Sequence, residues 1–87
     1  MGYLSTSMHM IRITIQIAET IRSVTRHPSP RLVLDSRAPL TIRQIARNIG
    51  IPATLIVYAI VDGVKMNLDD VIDWDAKIHL FGTMAGG

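Results

Sequence analysis

The residues best suited to chemistry in this chain are the two glycines at its end, Gly86 and Gly87. They follow Met84 and Ala85 in a short segment after Phe81 that shows no hydrophobic period. Glycine has no Cβ, so such an arm can enter a narrow channel in another protein, and no side chain hinders attack on its last carbonyl. The segment therefore predicts a mobile arm that reacts as a substrate, while a frayed end without a chemical role is the alternative.

No arrangement of catalytic or metal-binding side chains competes with this tail. The sequence contains no cysteine, which excludes thiolate chemistry, disulfides and zinc ribbons. The three histidines are scattered, and no spacing typical of a zinc site or a phosphate-binding loop occurs. His79 alternates with Ile78 and Leu80, which predicts that it faces solvent. We therefore expect neither a metal nor a bound cofactor, and no catalytic activity of the chain itself.

Length and composition indicate one small globular domain. The chain has 87 residues, 48% of them hydrophobic, and a net charge of +2. A chain this short has material for a single core and little for a deep active site. Its longest apolar stretch, residues 55–61, is far shorter than the roughly 20 residues that cross a bilayer. No secretory signal is evident. We expect a cytoplasmic protein without a membrane segment.

The first half of the chain predicts two strands and a helix. Isoleucines alternate with polar residues from Ile11 to Ile17, as in a half-buried strand. A turn over residues 23–30 leads to a second strand over 31–35, and residues 18–25 could add a helical turn. Thr41 and Gln44 have the spacing of a capping box, which starts a helix that Gly50 ends.

The second half predicts three more strands. The apolar run 55–61 lacks alternation and is typical of a central strand covered on much of both faces. Asp62-Gly63 is the signal for a type I′ hairpin, which returns through residues 64–66. An Asp-rich connection over 67–75, with Leu68, Val71 and Ile72 turned inward, precedes a last strand over 77–81. One helix across a small mixed sheet buries all these apolar faces. We expect a flexible extension over 1–9, a domain over 10–81 and a tail over 82–87.

A helix-turn-helix is the competing interpretation of the middle of the chain, since TIRQIARNIGIP contains a helix, a glycine turn and a restart. A recognition helix needs several polar side chains to reach base edges. Residues 53–60 offer only Thr54 and Tyr58. Arg43 and Arg47 could still contact phosphates, so nucleic-acid binding stays as a distant alternative.

Three segments together resemble a known family. The helix capped by TIRQ, the IVDG hairpin and the run DWDAKIHLFGTMAGG are similar to the β-grasp sulfur carriers of the ThiS/MoaD family, which are ubiquitin-like proteins ending in Gly-Gly. The resemblance covers roughly residues 10–87. The AGG that follows an aromatic residue, and the chain length, favour the MoaD-like members. The resemblance implies an α+β, β-grasp fold: a mixed sheet of four to five strands with one main helix packed across it.

The resemblance also implies a function. Gly87 would be adenylated by an ATP-dependent partner of the ubiquitin-activating type, then converted to a thiocarboxylate that donates sulfur in molybdopterin or thiamine (thiazole) biosynthesis. Gly86, which has no side chain, would keep the arm narrow where it enters the channel of the partner. The chain would be a protein co-substrate, or the small subunit of a synthase. A ubiquitin-like modifier, whose Gly87 forms an isopeptide bond, or a non-covalent interaction module is the alternative.

The expected docking surface lies on the sheet. Partners of such carriers typically bind the exposed sheet face and draw in the tail. We therefore expect an apolar patch around Tyr58, Ile60 and Phe81, continued by Met84 and Ala85. The alternative is that Tyr58 and Phe81 belong to the core.

Overall fold

A five-stranded mixed sheet and two short helices make up the chain in a computed structural model that describes residues 10–26 and 29–83. The fold is α+β and β-grasp-like, which confirms the expected fold class. The elements in chain order are β1 Ile11–Ile17, α1 Glu19–Thr25, β2 Arg31–Ser36, β3 Leu40–Thr41, α2 Ile42–Asn48, a 3-10 turn Ala53–Leu55, β4 Ile56–Val61, β5 Val64–Met66, β6 Val71–Ile72 and β7 Ala76–Gly82.

The last strand, β7, is the central strand of the sheet. The strand order is β2-β1-β7-β4-β5. Strand β7 runs parallel to β1 and antiparallel to β4, and the two outer pairs, β1 with β2 and β4 with β5, are antiparallel. The isoleucines of β1 at positions 11, 13, 15 and 17 are all buried, as their alternation predicts. Because β7 lies in the middle, its position is set by neighbours on both edges.

Helix α2 covers the inner face of this sheet. Its capping box is present: the Gln44 backbone N–H donates to Thr41 Oγ1 at 3.0 Å, and the Thr41 N–H donates to Gln44 Oε1 at 2.8 Å. Ile42, Ile45 and Ala46 are buried among the sheet isoleucines. The helix ends at Asn48, and Gly50 has a φ of +81°, which glycine adopts without steric cost.

The segment after α2 is not a second long helix. Residues 53–55 form one 3-10 turn, and residues 56–61 are strand β4. The helix-turn-helix interpretation is therefore wrong. The apolar residues of this segment enter the sheet, where three of them are buried: Ile56, Ala59 and Val61.

The structure contains a longer helix α1 and a second small sheet that the sequence did not predict. Residues 19–25 form a full helix, α1, which continues into the segment expected to be a turn. It ends at Thr25 and is capped by Arg26, whose φ is +57°. Strands β3 and β6 pair as a second, two-stranded sheet. Within the Asp-rich connection, Ile72 is buried and Leu68 packs on the core as expected, but Val71 is 51% exposed, so its inward placement was wrong.

Candidate functional site

The candidate site lies where the central strand β7 ends, at the start of the predicted tail. Strand β7 extends to Gly82, one residue beyond the predicted end. The Ala18 backbone N–H donates to Leu80 O at 3.0 Å, which holds the start of α1 beside this strand end. A Cβ on Gly82 would lie 2.7 Å from Ile21 Cγ1 and 3.0 Å from Leu55 O. Only glycine fits between α1 and the chain entering β4.

A bulge in β4 shapes the surface next to this strand end. Ile56 pairs with Gly82 and Tyr58 with Phe81, so Val57 is an extra residue on β4. The bulge turns both Val57, which is 60% exposed, and the half-buried Tyr58 outward. Alternation is missing from residues 55–61 because of this bulge and because the outward side chains Tyr58 and Ile60 are apolar. The outer face of β4 is half-buried at these two residues and exposed at Val57, so the expected cover of much of both faces does not extend to Val57. Strand β4 also lies beside the central strand rather than at the centre.

An aromatic cluster lies on the outer face of the sheet beside the bulge. The Tyr58 and Phe81 rings stack with centroids 4.9 Å apart, and the His79 and Phe81 rings stack at 4.0 Å. Ile60 is the cross-strand partner of His79 on β7 and of Lys65 on β5. We call Tyr58, Ile60, His79 and Phe81 the outer-face cluster. All four are half-buried rather than core residues.

The cluster joins residues that the sequence singled out with residues that it did not. Tyr58, Ile60 and Phe81 were expected together and lie together. His79 was expected to face solvent; it lies on that outer face, but its ring stacks on Phe81. The Lys65 Nζ lies 5.0 Å from the Tyr58 ring centroid, a cation–π geometry. The hairpin signal Asp62-Gly63 could have identified Lys65, because a two-residue turn places it opposite Ile60.

An apolar groove runs from the outer-face cluster to the strand end. It has a volume of about 460 Å³ and lies between residues 18–20 at the start of α1 and residues 57–58 of the bulge. Phe81, Gly82 and Thr83 form the remaining wall. Thr83 is the last described residue, the second of the predicted tail 82–87. The groove therefore provides an apolar surface at the point where the tail leaves the domain.

The hairpin that carries Lys65 is fixed to β7 by one carboxylate. Asp62 and Gly63 have φ values of +48° and +87°, as a type I′ turn requires. The Asp62 carboxylate accepts hydrogen bonds from Trp74 Nε1 at 2.8 Å and from the Lys77 backbone N–H at 3.0 Å. The Trp74 bond, followed by the Lys77 bond, lowers the pKa of Asp62 below its ordinary value.

The two arginines considered for phosphate binding lie on α2, away from this groove. Arg43 Nε donates to Asp69 Oδ1 at 3.0 Å, and this hydrogen bond, with the charge of Arg43, lowers the pKa of Asp69. Arg43 is therefore already paired with a carboxylate. Arg47 lines a separate open pocket of about 340 Å³ at the end of α2.

Several sequence expectations concern residues outside the described ranges. Met84, Ala85, Gly86 and Gly87 are among them, as is the extension over 1–9, so the tail stays a prediction. Within residues 10–26 and 29–83, no group of three or more metal-ligating side chains is present. In the same part of the chain, no helix has the length and apolar character needed to span a membrane.

Neither a protein-family model nor a curated protein sequence matches this chain.

Proposed function

We propose that the chain is a sulfur carrier of the ThiS/MoaD type. In this proposal the Gly87 carboxylate is adenylated by an ATP-dependent activating enzyme and then converted to a thiocarboxylate. The sulfur passes to an acceptor in molybdopterin or thiamine (thiazole) biosynthesis. The chain acts as a protein co-substrate in the cytoplasm, and the ATP is bound by its partner.

The observation that carries the proposal is a Gly-Gly pair a few residues beyond the central strand of a β-grasp-like sheet. Because β7 is held by β1 and β4 on its two sides, its end is a fixed point from which a short arm can reach into a partner. A thiocarboxylate on a protein is a nucleophile that cannot diffuse away. The folded domain would then be the part that partners bind, and Gly87 would be the reacting group.

The outer-face cluster and the groove support docking of an activating enzyme. Phe81 lies in both, directly before the strand end, and Tyr58 and Val57 extend the apolar surface. Aromatic side chains with a half-exposed face are enriched at protein interfaces. A partner that covers this surface would meet the tail at its edge, so recognition and activation would occur at one site.

Intact-mass spectrometry tests the proposal. Protein from its natural source should first be shown to end at Gly87. It is then incubated with ATP, a cognate adenylating enzyme, a persulfide donor and a thiol reductant. The persulfide displaces AMP from the acyl adenylate, the thiol reduces the resulting acyl disulfide, and the protein should gain the mass of one oxygen-to-sulfur exchange. Deletion of Gly86 and Gly87 should abolish this gain. Ala85→Gly is the matched control, since it changes the tail but keeps the terminal pair, and it should still react.

The same assay separates docking from activation. Phe81→Ala should raise the KM for the carrier more than it lowers kcat, because it removes a contact surface and leaves the reacting carboxyl group intact. A lysine-linked adduct in place of the sulfur exchange would favour the ubiquitin-like modifier. Unchanged mass under all conditions would contradict both covalent functions and leave the interaction module.

A further inference from the structure

Strand β2 forms an open edge of the sheet. Among residues 10–26 and 29–83, β1 is its one strand partner, and no described strand pairs with its other side. The Ile17 backbone N–H donates to Pro30 O at 2.8 Å, so residues 17 and 30 form a hydrogen-bonded antiparallel pair. Such pairs recur at every second residue, and in this register they include Ile15 with Leu32 and Ile13 with Leu34. The backbone groups of Arg31, Val33 and Asp35 therefore point to the open edge.

The β2 edge has few of the features by which proteins usually keep an edge strand from pairing with another molecule. It is six residues long, contains no proline within Arg31–Ser36 and shows no bulge against β1. Val33 is 58% exposed on the outer face, and Leu32 and Leu34 are only half-buried on the inner face. The edge thus presents apolar side chains on both faces beside unpaired backbone groups.

The strand is complementary to itself when it is read in the opposite direction. Its residues 31–35 are Arg-Leu-Val-Leu-Asp. In an antiparallel pair of two copies centred on Val33, Arg31 lies opposite Asp35, and Leu32 lies opposite Leu34, at both ends. Residues that face each other in this way have Cβ atoms about 5 Å apart on the same face of the sheet. Both charge pairs are then of opposite sign.

Other registers of the two strands lose the pairing of opposite charges. A shift of two residues in one direction places Arg31 opposite Arg37 of the second copy, and a shift in the other leaves Asp35 opposite Ser29. A shift of one residue would place the outward backbone groups of one copy opposite residues of the other copy whose backbone groups already bond to β1. Within one copy, Asp35 already accepts a hydrogen bond from Arg12 Nε at 3.1 Å, while Arg31 has no ion-pair partner in residues 10–26 and 29–83. A second copy would supply that partner.

We propose that two copies of this chain associate through β2 as a two-fold symmetric, antiparallel pair centred on Val33, which joins their sheets into one. The outer-face cluster lies on the β4 and β7 side of β1, so this dimer leaves the proposed docking surface uncovered. The inference is independent of sulfur transfer. An interface of one strand is at the small end of stable interfaces, so the dimer is expected to be concentration-dependent.

Charge reversal at the two ends of the strand tests the register. Sedimentation equilibrium of the full chain from about 10 to 500 µM should show a mass that rises towards twice the 9.6 kDa of the monomer. Arg31→Asp creates two Asp-Asp oppositions, and Asp35→Arg creates two Arg-Arg oppositions. Each variant should weaken self-association by about tenfold or more. An equimolar mixture of the two should dimerise again, because every opposed pair then has opposite charges.

Two measurements keep the test specific. Arg47→Asp makes the same charge change on α2 and should leave association unaltered. Amide exchange at Arg31, Val33 and Asp35 should slow as the concentration rises, while exchange in β5, at the other edge, stays constant. A chain that remains at 9.6 kDa throughout would overturn the proposal and leave this edge to an extended segment of another protein. A dimer that both reversals leave unchanged would overturn it as well.

Discussion

Replacing Gly82 with alanine tests how tightly the end of β7 is packed against α1. The backbone of Gly82 is outside the left-handed region, so alanine can adopt it. Removing a glycine restricts the unfolded chain, which by itself stabilises a protein by about 0.4–1 kcal/mol. The sign of the measured effect therefore shows whether this entropic gain or a steric clash dominates.

The distances around Gly82 indicate that the steric clash outweighs the entropic gain. The added Cβ would lie 2.7 Å from Ile21 Cγ1, whereas carbon atoms in contact are normally about 3.5–4.0 Å apart. It would also lie 3.0 Å from Leu55 O and 3.3 Å from Thr20 Oγ1. Ile21 is buried and Leu55 O is a backbone atom, so neither can move aside freely. Overpacking of this kind costs about 1–3 kcal/mol. After the entropic gain, we expect a loss of about 1–2 kcal/mol in the free energy of unfolding.

Urea unfolding followed by circular dichroism measures this loss, and the melting temperature should fall by roughly 5–10 °C. Ile21→Ala removes the nearest clashing atom, so the double variant should be more stable than the sum of the single effects by about 0.5–3 kcal/mol. Gly63→Ala is the control. It has open space around its Cβ but a φ of +87°, so it should be destabilised without coupling to Ile21. A Gly82→Ala protein as stable as the wild type, without coupling, would refute the reasoning.

Two further predictions concern a helix cap and a titrating carboxylate. Thr41→Ala removes the hydroxyl that accepts from the Gln44 N–H and should cost about 0.5–2 kcal/mol in urea unfolding, whereas Thr41→Ser should retain most of the stability. The lowered pKa of Asp62 stabilises the fold above the ordinary pKa of an aspartate, and this contribution is lost as the pH falls through the lower folded value. The fluorescence of Trp74, the single tryptophan, should change over that acidic range in the wild type, and Asp62→Asn should remove the change. An unaltered titration in Asp62→Asn would contradict this assignment.

The elements that the sequence predicted well are those specified by neighbouring residues. The alternation of isoleucines in β1, the capping box of Thr41 and the turn at Asp62-Gly63 each depend on residues within a few positions of one another. Local periodicity and local hydrogen bonds act in the same way in almost any fold, so these predictions did not require the topology.

The candidate site was predictable only in part. Tyr58, Ile60 and Phe81 were expected together because partners of the resembled carriers bind the exposed sheet face. The bulge at Val57, the stacking of His79 and the close approach at Gly82 were missed. Each of these depends on the register between β4 and β7 or on α1 packing over the strand end, and no pattern within one segment contains that information.

The sequence by itself determined the five strands of the main sheet and helix α2, but not β3, β6 or the full length of α1, and it placed a glycine pair beyond the last strand. The tertiary structure decided that this last strand is the central one, parallel to β1, and that an apolar groove lies where it ends. The physical reason is that alternation and caps act over a few residues, whereas strand order depends on pairing between segments more than fifty residues apart, such as Ile15 and Ile78. Only the assembled core selects one such pairing among those that the same apolar faces would allow.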